Sequence, residues 1–233
     1  MTELLNPQAP THDLRDLRDL HELLHLAEIF KALAKIVAQD RWTSFEICEL
    51  GCATGWLAHE LTALGRVTGV DPDAERIVQA RQQYPRVAFE SAELSTWAPP
   101  RTFDLVVSSE VIEHLADKSG YIKTLKRIAK PGGWILVTTP NKKLKRQWDA
   151  ADMGEGLYED WLTVKELREC FADCEIVQHN TFLHDFAYTG VYRWLNAKKL
   201  AALLVRCKID PLYDALRQML GHGLYQILLC RKK

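Results

Sequence analysis

The residues with the clearest chemical potential are Glu49-Leu50-Gly51-Cys52-Ala53-Thr54-Gly55. They follow a short apolar run, residues 45–50, and precede a helix-like run, residues 56–64. Strand, glycine-bearing turn and helix make the first third of a nucleotide-binding βαβ unit. A Cβ at Gly51 or Gly55 would stand in the way of a ligand, so glycine at both places suits a backbone that approaches one closely. The helix start behind the turn offers free N–H groups. Other chemistry is poorly represented. The six cysteines (Cys48, Cys52, Cys170, Cys174, Cys207, Cys230) include no C-x-x-C pair, which argues against a zinc ribbon, a redox pair or any other metal site.

The elements that must hold this loop follow from pattern. A chain of 233 residues with 47% hydrophobic content is enough for one sizeable α/β domain plus extensions. A net charge of −1 gives no strong nucleic-acid signal. There is no basic-then-apolar leader and no apolar run of membrane-spanning length, so no transmembrane segment is expected and the default location is cytoplasmic. After a loose arm with Pro7 and Pro10, residues 12–39 read as an amphipathic helix, with Leu23, Leu24, Phe30, Leu33 and Val37 among its apolar positions. It is expected to pack on the domain, a role compatible with a lid over the ligand pocket.

Strands are then predicted at 45–50, 66–71, 87–90, 103–108 and 134–139, with helices at 56–64, 73–84, 111–115 and 121–129 between them. The continuous apolar run around Leu105, Val106 and Val107 suits a strand buried on both faces. Pro131-Gly132-Gly133 reads as a tight turn. Thr163 and Glu166 form a capping box for a helix to Phe171, followed by a strand at 175–181 and a last strand at 224–230. This alternation predicts an α/β, Rossmann-like three-layer sandwich with a mostly parallel sheet and helices on both faces.

Four pieces carry a resemblance. They are Glu49-x-Gly51-x-x-x-Gly55, then Val67-Thr68-Gly69-Val70-Asp71, then Phe103 to Leu115 with its Ser108-Ser109-Glu110-Val111-Ile112-Glu113-His114 centre, and Ala129-Lys130-Pro131-Gly132-Gly133. In this order and spacing the chain resembles the class I S-adenosylmethionine-dependent methyltransferases of small-molecule type. The resemblance implies a seven-stranded sheet with an antiparallel last strand, over residues 42–233. Residues 1–41 would form an N-terminal arm and helix, a cap, and residues 182–221 a helical insertion between the last two strands. A dinucleotide-binding dehydrogenase is disfavoured, because the second glycine of Gly-x-Gly-x-x-Gly is missing after Gly51.

The resemblance also implies a cofactor, S-adenosyl-L-methionine, and a site. Gly51, Cys52, Ala53 and Gly55 would approach its aminoacyl end and sulfonium, with Glu49 toward the amino group. Asp71, followed by Pro72, would accept from the ribose hydroxyls. Ala92, Glu93 and Leu94 would cradle adenine. Ser108 and Glu110 would line the methionine end and the acceptor entrance. His114 is the candidate base or acceptor ligand, since a neutral imidazole can take a proton near pH 7.

The segment after the fourth strand lacks the Asn/Asp-Pro-Pro-Tyr/Phe pattern of enzymes that methylate DNA bases or glutamine. The Glu113-His114-Leu115 form instead resembles small-molecule O-methylation. The expected acceptor is therefore a small molecule. The alternatives are a cofactor-binding partner subunit without turnover, or a protein or RNA methyltransferase. Residues 191–207 read as a basic amphipathic helix, so a peripheral contact with a membrane surface or an acidic partner stays open. The sequence does not fix an oligomeric state.

Overall fold

The structure is a computed structural model that describes residues 17–40, 44–144, 159–182, 221 and 223–233, with side chains from Leu23 onward. The arm before residue 17 and most of the insertion expected at 182–221, including the basic helix expected at 191–207, lie outside the described residues.

Seven strands form one sheet in the order β3-β2-β1-β4-β5-β7-β6. They are β1 (Phe45–Leu50), β2 (Gly65–Asp71), β3 (Ala88–Ser91), β4 (Phe103–Ser109), β5 (Ala129–Pro140), β6 (Glu175–Phe182) and β7 (Tyr225–Arg231). Pairs from β3 through β5 are parallel. The last strand, β7, runs antiparallel to both β5 and β6. Among the described residues the α-helices are α1 (Leu17–Asp40), α2 (Trp56–Leu61), α3 (Ala74–Gln83), α4 (Lys118–Ile128) and α5 (Val164–Cys170).

The alternation of side chains along each strand sorts the core into two layers. Ile47, Leu105, Val107 and Leu136 pack with Ile29, Leu33 and Ile36 of α1, Leu57 and Leu61 of α2, and Ile77 of α3. Cys48, Leu50, Val106, Ile135 and Val137 pack on the other face with Tyr121 and Leu125 of α4 and Leu167 of α5. Helices on both faces are what a parallel sheet needs, because every β-face must be covered.

Three sequence expectations change. In α1 the buried stripe is Ile29, Ala32, Leu33 and Ile36, whereas Leu23, Leu24, Phe30 and Val37 are exposed. Counting apolar residues without regard to phase placed them on one face; packing chose the narrower stripe. The expected helix at 111–115 is a single 3-10 turn, Ile112–His114, too short a segment between β4 and α4 for more. Pro131-Gly132-Gly133 lies inside β5 as an irregularity, with pairing to β4 slipping between Phe103↔Ala129 and Leu105↔Trp134. Gly132 takes φ +73 there, and a Cβ would meet nothing within 4 Å, so the glycine serves the backbone conformation alone.

Candidate active site

The strand order reverses between β1 and β4: from β1 the chain steps outward to β2 and β3, then returns to β4 on the other side. Such a switch point leaves a crevice beyond the carboxyl ends of the two strands, because their following segments leave in opposite directions. On one bank lies the loop Gly51–Gly55, and on the other the segment Ser108–His114.

The loop is built by left-handed backbone. Gly51, Ala53 and Gly55 take φ +92, +46 and +81. Gly51 and Cys52 both donate to the Val70 carbonyl, at 2.7 and 3.0 Å, and Gly55 donates to the Cys52 carbonyl at 2.7 Å. A Cβ on Gly51 would lie 2.3 Å from Val111 Cγ2, and one on Gly55 would lie 2.4 Å from Phe89 Cζ. The glycines therefore admit the protein's own side chains, with Val111 of one bank seated on Gly51 of the other. This differs from the sequence expectation, in which the obstructed group was the ligand.

Asp71, 7% exposed, ties the loop to the end of β2. Its Oδ2 accepts from the Ala53 N–H at 2.8 Å and its Oδ1 from the Asp73 N–H at 3.0 Å. Asp73 in turn caps α3 by accepting from the N–H groups of Glu75 and Arg76. Pro72 is exposed between the two. Ala92 donates to the Asp71 carbonyl at 3.2 Å, bringing the end of β3 alongside. Glu93 is exposed, and its Oε1 accepts from the Ser95 N–H at 3.3 Å. Leu94 is buried in the core with Val70 and Trp97.

Glu49 is 3% exposed at the end of β1, and its Oε2 has no hydrogen-bond partner. Burial drives its carboxyl well above the ordinary value, against a hydrogen bond from the Ala58 N–H in the first turn of α2. Burial likewise pushes the Cys52 thiol up, so this residue is no thiolate nucleophile. Ser108 is fully buried. Tyr121 Oη lies 2.9 Å from the Leu50 carbonyl and 2.8 Å from Ser108 Oγ. The carbonyl can only accept, so the phenol's single proton goes to it and Ser108 donates to the phenol. This buried bridge locks the end of β1 to the end of β4.

The far bank is polar. Glu110 has φ +55, a left-handed conformation that costs a side-chain-bearing residue about 1 kcal/mol or more. Its N–H donates to the Thr138 carbonyl at 3.1 Å. Its carboxyl is raised well above the ordinary range, first by burial and next by the charge of Glu113. Glu113, 1% exposed, accepts from Thr139 Oγ1 at 2.9 Å, and burial raises its pKa to about 7. His114 stands at the outer end of the 3-10 turn with its side chain 38% exposed and Nε2 3.9 Å from Glu113 Oε1.

One residue here escaped sequence reasoning. His25 of α1 reaches over the end of β5, with Nε2 2.9 Å from Thr138 Oγ1 and 3.7 Å from Glu110 Oε1. Its ring packs against Phe182 and Tyr225, centroids 5.3 and 5.1 Å away. Burial lowers its pKa to about 4, so the imidazole is neutral at physiological pH. A signal did exist. His25 precedes Ile29 by one helical turn, on the stripe that α1 otherwise buries with apolar side chains.

The family model described as "Methyltransferase domain" matches residues 12–200. A probable S-adenosylmethionine-dependent methyltransferase of Mycolicibacterium smegmatis is 35% identical over 99 residues, covering 42% of this chain and 38% of the relative. A ubiquinone biosynthesis O-methyltransferase of Colwellia psychrerythraea is 30% identical over 146 residues, covering 58% of this chain and 57% of the relative. The chain thus spans about two-fifths to three-fifths of the length of these curated relatives. The crystal structure of magnesium protoporphyrin IX methyltransferase from Synechocystis PCC 6803, with bound SAH, superposes with a TM-score of 0.61 at 16% identity, covering 90% of this chain and 84% of that one. At that identity the superposition speaks for the fold.

Proposed function

This chain belongs to the class I S-adenosylmethionine-dependent methyltransferase family, and from that premise we propose that it binds S-adenosyl-L-methionine at the β1/β4 crevice and methylates a small-molecule acceptor, most readily at oxygen. The observation that carries the reading is Asp71 at the switch point, one oxygen holding the left-handed loop at Ala53 and the other the Asp73 N–H at the start of α3. The residues present fit the cofactor. Glu49 Oε2 is a buried oxygen without a hydrogen-bond partner, and the cofactor's ammonium would supply both a donor and the positive charge that favours the ionised carboxylate. Glu49, Gly51, Cys52, Ala53 and Gly55 would hold the aminoacyl end, Asp71 and Pro72 the ribose, and Ala92, Glu93 and Leu94 the adenine side. Leu94 would act through the core it completes.

When bound, the group supplies a methyl carbon made electrophilic by a sulfonium. The chain's own part is to bind the acceptor in line with that carbon, exclude water and receive the acceptor's proton. Ser108 fixes the floor through Tyr121, and Glu110 and His114 stand on the acceptor side. The homologous ubiquinone-pathway relative supports oxygen as the target.

The test has two stages. Calorimetry should give micromolar affinity for S-adenosylhomocysteine, the demethylated product. A panel of phenols, catechols and polyols with labelled cofactor should then reveal methyl transfer. Absence of affinity for both forms of the cofactor would sink the reading, while affinity without transfer to any acceptor would leave a cofactor-binding partner subunit.

A further inference from the structure

Among the described residues the hydroxyl of Thr138 has two hydrogen-bond partners, His25 Nε2 at 2.9 Å and Ser109 Oγ at 3.0 Å. The same His25 Nε2 lies 3.7 Å from Glu110 Oε1. A proton on Nε2 lets the neutral imidazole donate to Thr138 and face the carboxyl oxygen favourably, so the Nε2–H tautomer suits this corner. Glu110 itself is bent back by its left-handed backbone and tied through its N–H to the Thr138 carbonyl. Its Oε1 is buried and makes no hydrogen bond of its own. The next residue, Val111, rests on Gly51 of the proposed cofactor loop.

We propose that Glu110 is the group that takes the proton from the acceptor, and that His25 of α1, held on Thr138 and 3.7 Å from Glu110 Oε1, is its positioning residue. The inference rests on the methyl-transfer reading above. The acceptor is a neutral hydroxyl compound: its O–H donates to Glu110 Oε1, the free oxygen. In the reaction the oxygen–carbon bond forms as the carbon–sulfur bond breaks. The electron pair of that bond stays on sulfur, and the hydroxyl proton passes to Glu110 and then to water. The groups around Glu110 explain the choice of a neutral acceptor. Glu113 faces it from the 3-10 turn, with His114 beside Glu113; Glu159 faces it from the segment before α5, and His25, its ring packed on Tyr225 of β7, from α1. Together with Glu110 itself, the carboxyls of Glu113 and Glu159 disfavour a phosphate or carboxylate on the acceptor. α1 is then a wall of the acceptor site as well as a cover for the sheet.

Four variants, H25A, H25N, T138V and E110Q, test this in the 233-residue chain. First, ¹⁵N-labelled imidazole spectra are read over pH without any ligand. His25 should hold the Nε2–H tautomer and titrate well below 6, and its signals should shift in E110Q. A free-titrating His25, or one blind to E110Q, overturns the proposal whether or not an acceptor is known. Second, calorimetry should find affinity for S-adenosylhomocysteine within about threefold of wild type in H25A and T138V, as required of residues that touch only the acceptor side. Third, with the acceptor that the wild type turns over best, E110Q should lower kcat by about 10²–10⁴-fold, the usual range for a lost general base. H25A should lower it by a smaller factor and raise the pH at which activity appears, and H25N, which keeps a donor, should recover part. A larger kcat loss in H114A than in E110Q would give the proton to His114 and overturn the assignment. Cofactor binding without turnover in the wild type counts against the methyl-transfer reading, and the imidazole spectra still decide the contact.

Discussion

Asp71 has an architectural role in the loop and, in the proposed function, a binding role as well. Each of its oxygens accepts one backbone N–H, from Ala53 and from Asp73. Lone pairs remain on both oxygens for a diol. Replacement by alanine removes two charge-assisted hydrogen bonds, each worth about 1.5–3 kcal/mol. D71A should therefore weaken S-adenosylhomocysteine binding by about 100-fold or more, whereas H114A, whose half-exposed ring lies at the outer end of its turn, should change it by less than about threefold. Equal losses in calorimetry would refute these roles. Glu113 makes a pH prediction. Its carboxyl, ordinarily near 4.5, ionises near 7 in the folded protein because it is buried. Between those values the folded state binds more protons than the unfolded state, so stability falls as pH rises through that window and the loss is complete above it. E113Q cannot ionise and escapes this loss. Denaturation midpoints of wild type and E113Q should thus converge toward pH 4.5 and separate, E113Q the higher, toward pH 7; parallel curves would show that Glu113 does not titrate in that way.

At the level of elements, local pattern carried far. The Thr163/Glu166 capping box forms as expected, with Thr163 Oγ1 accepting from the Glu166 N–H at 3.2 Å and Glu166 Oε2 accepting from the Thr163 N–H at 2.7 Å. Both ends of that interaction sit within one turn, so sequence spacing suffices to read it. T163A should cost about 1 kcal/mol, seen as a lower urea midpoint at unchanged slope; a shift below a few tenths would mean that α5 is held by Leu167 packing alone. The βα units were legible for the same reason: strand, turn and helix are adjacent in sequence. What was not legible is what adjacency does not encode. Nothing near Gly51 announces that Val111 will seat on it, and nothing near Thr138 announces an imidazole from α1. Such contacts join segments 60 to 113 residues apart and become visible only when the sheet order is known. The phase of α1 failed on a related ground. Leu23, Leu24 and Phe30 are as apolar as Ile29 and Ile36, and only packing decides which stripe faces the sheet.

Among the described residues, the sheet is two halves joined at one seam. β3-β2-β1 carries the loop and Asp71, and β4-β5-β7-β6 carries Ser108, Glu110 and Thr138. Across the seam run the β1–β4 pairing, the Tyr121 bridge between Leu50 and Ser108, and the seat of Val111 on Gly51. A ligand in the crevice touches both banks, so its binding energy adds to the stability of the folded chain and is lost on unfolding. Saturation at 100 times Kd contributes about 2.7 kcal/mol. For a chain of this size each kcal/mol moves Tm by about 2–4 °C. S-adenosylhomocysteine at that excess should therefore raise the wild-type Tm by about 5–10 °C. At the same total concentration D71A, with Kd raised about 100-fold, sits near half-saturation and should gain only about 1–2 °C. G51A tests the seam itself. Its methyl would collide with Val111 and its backbone would be held at φ +92, so Tm should fall even without ligand. Adding V111A should return the part due to the collision and leave the part due to the backbone. Full recovery in the double variant would mean that the left-handed conformation at Gly51 carries no cost, and that the loop is shaped by the far bank alone.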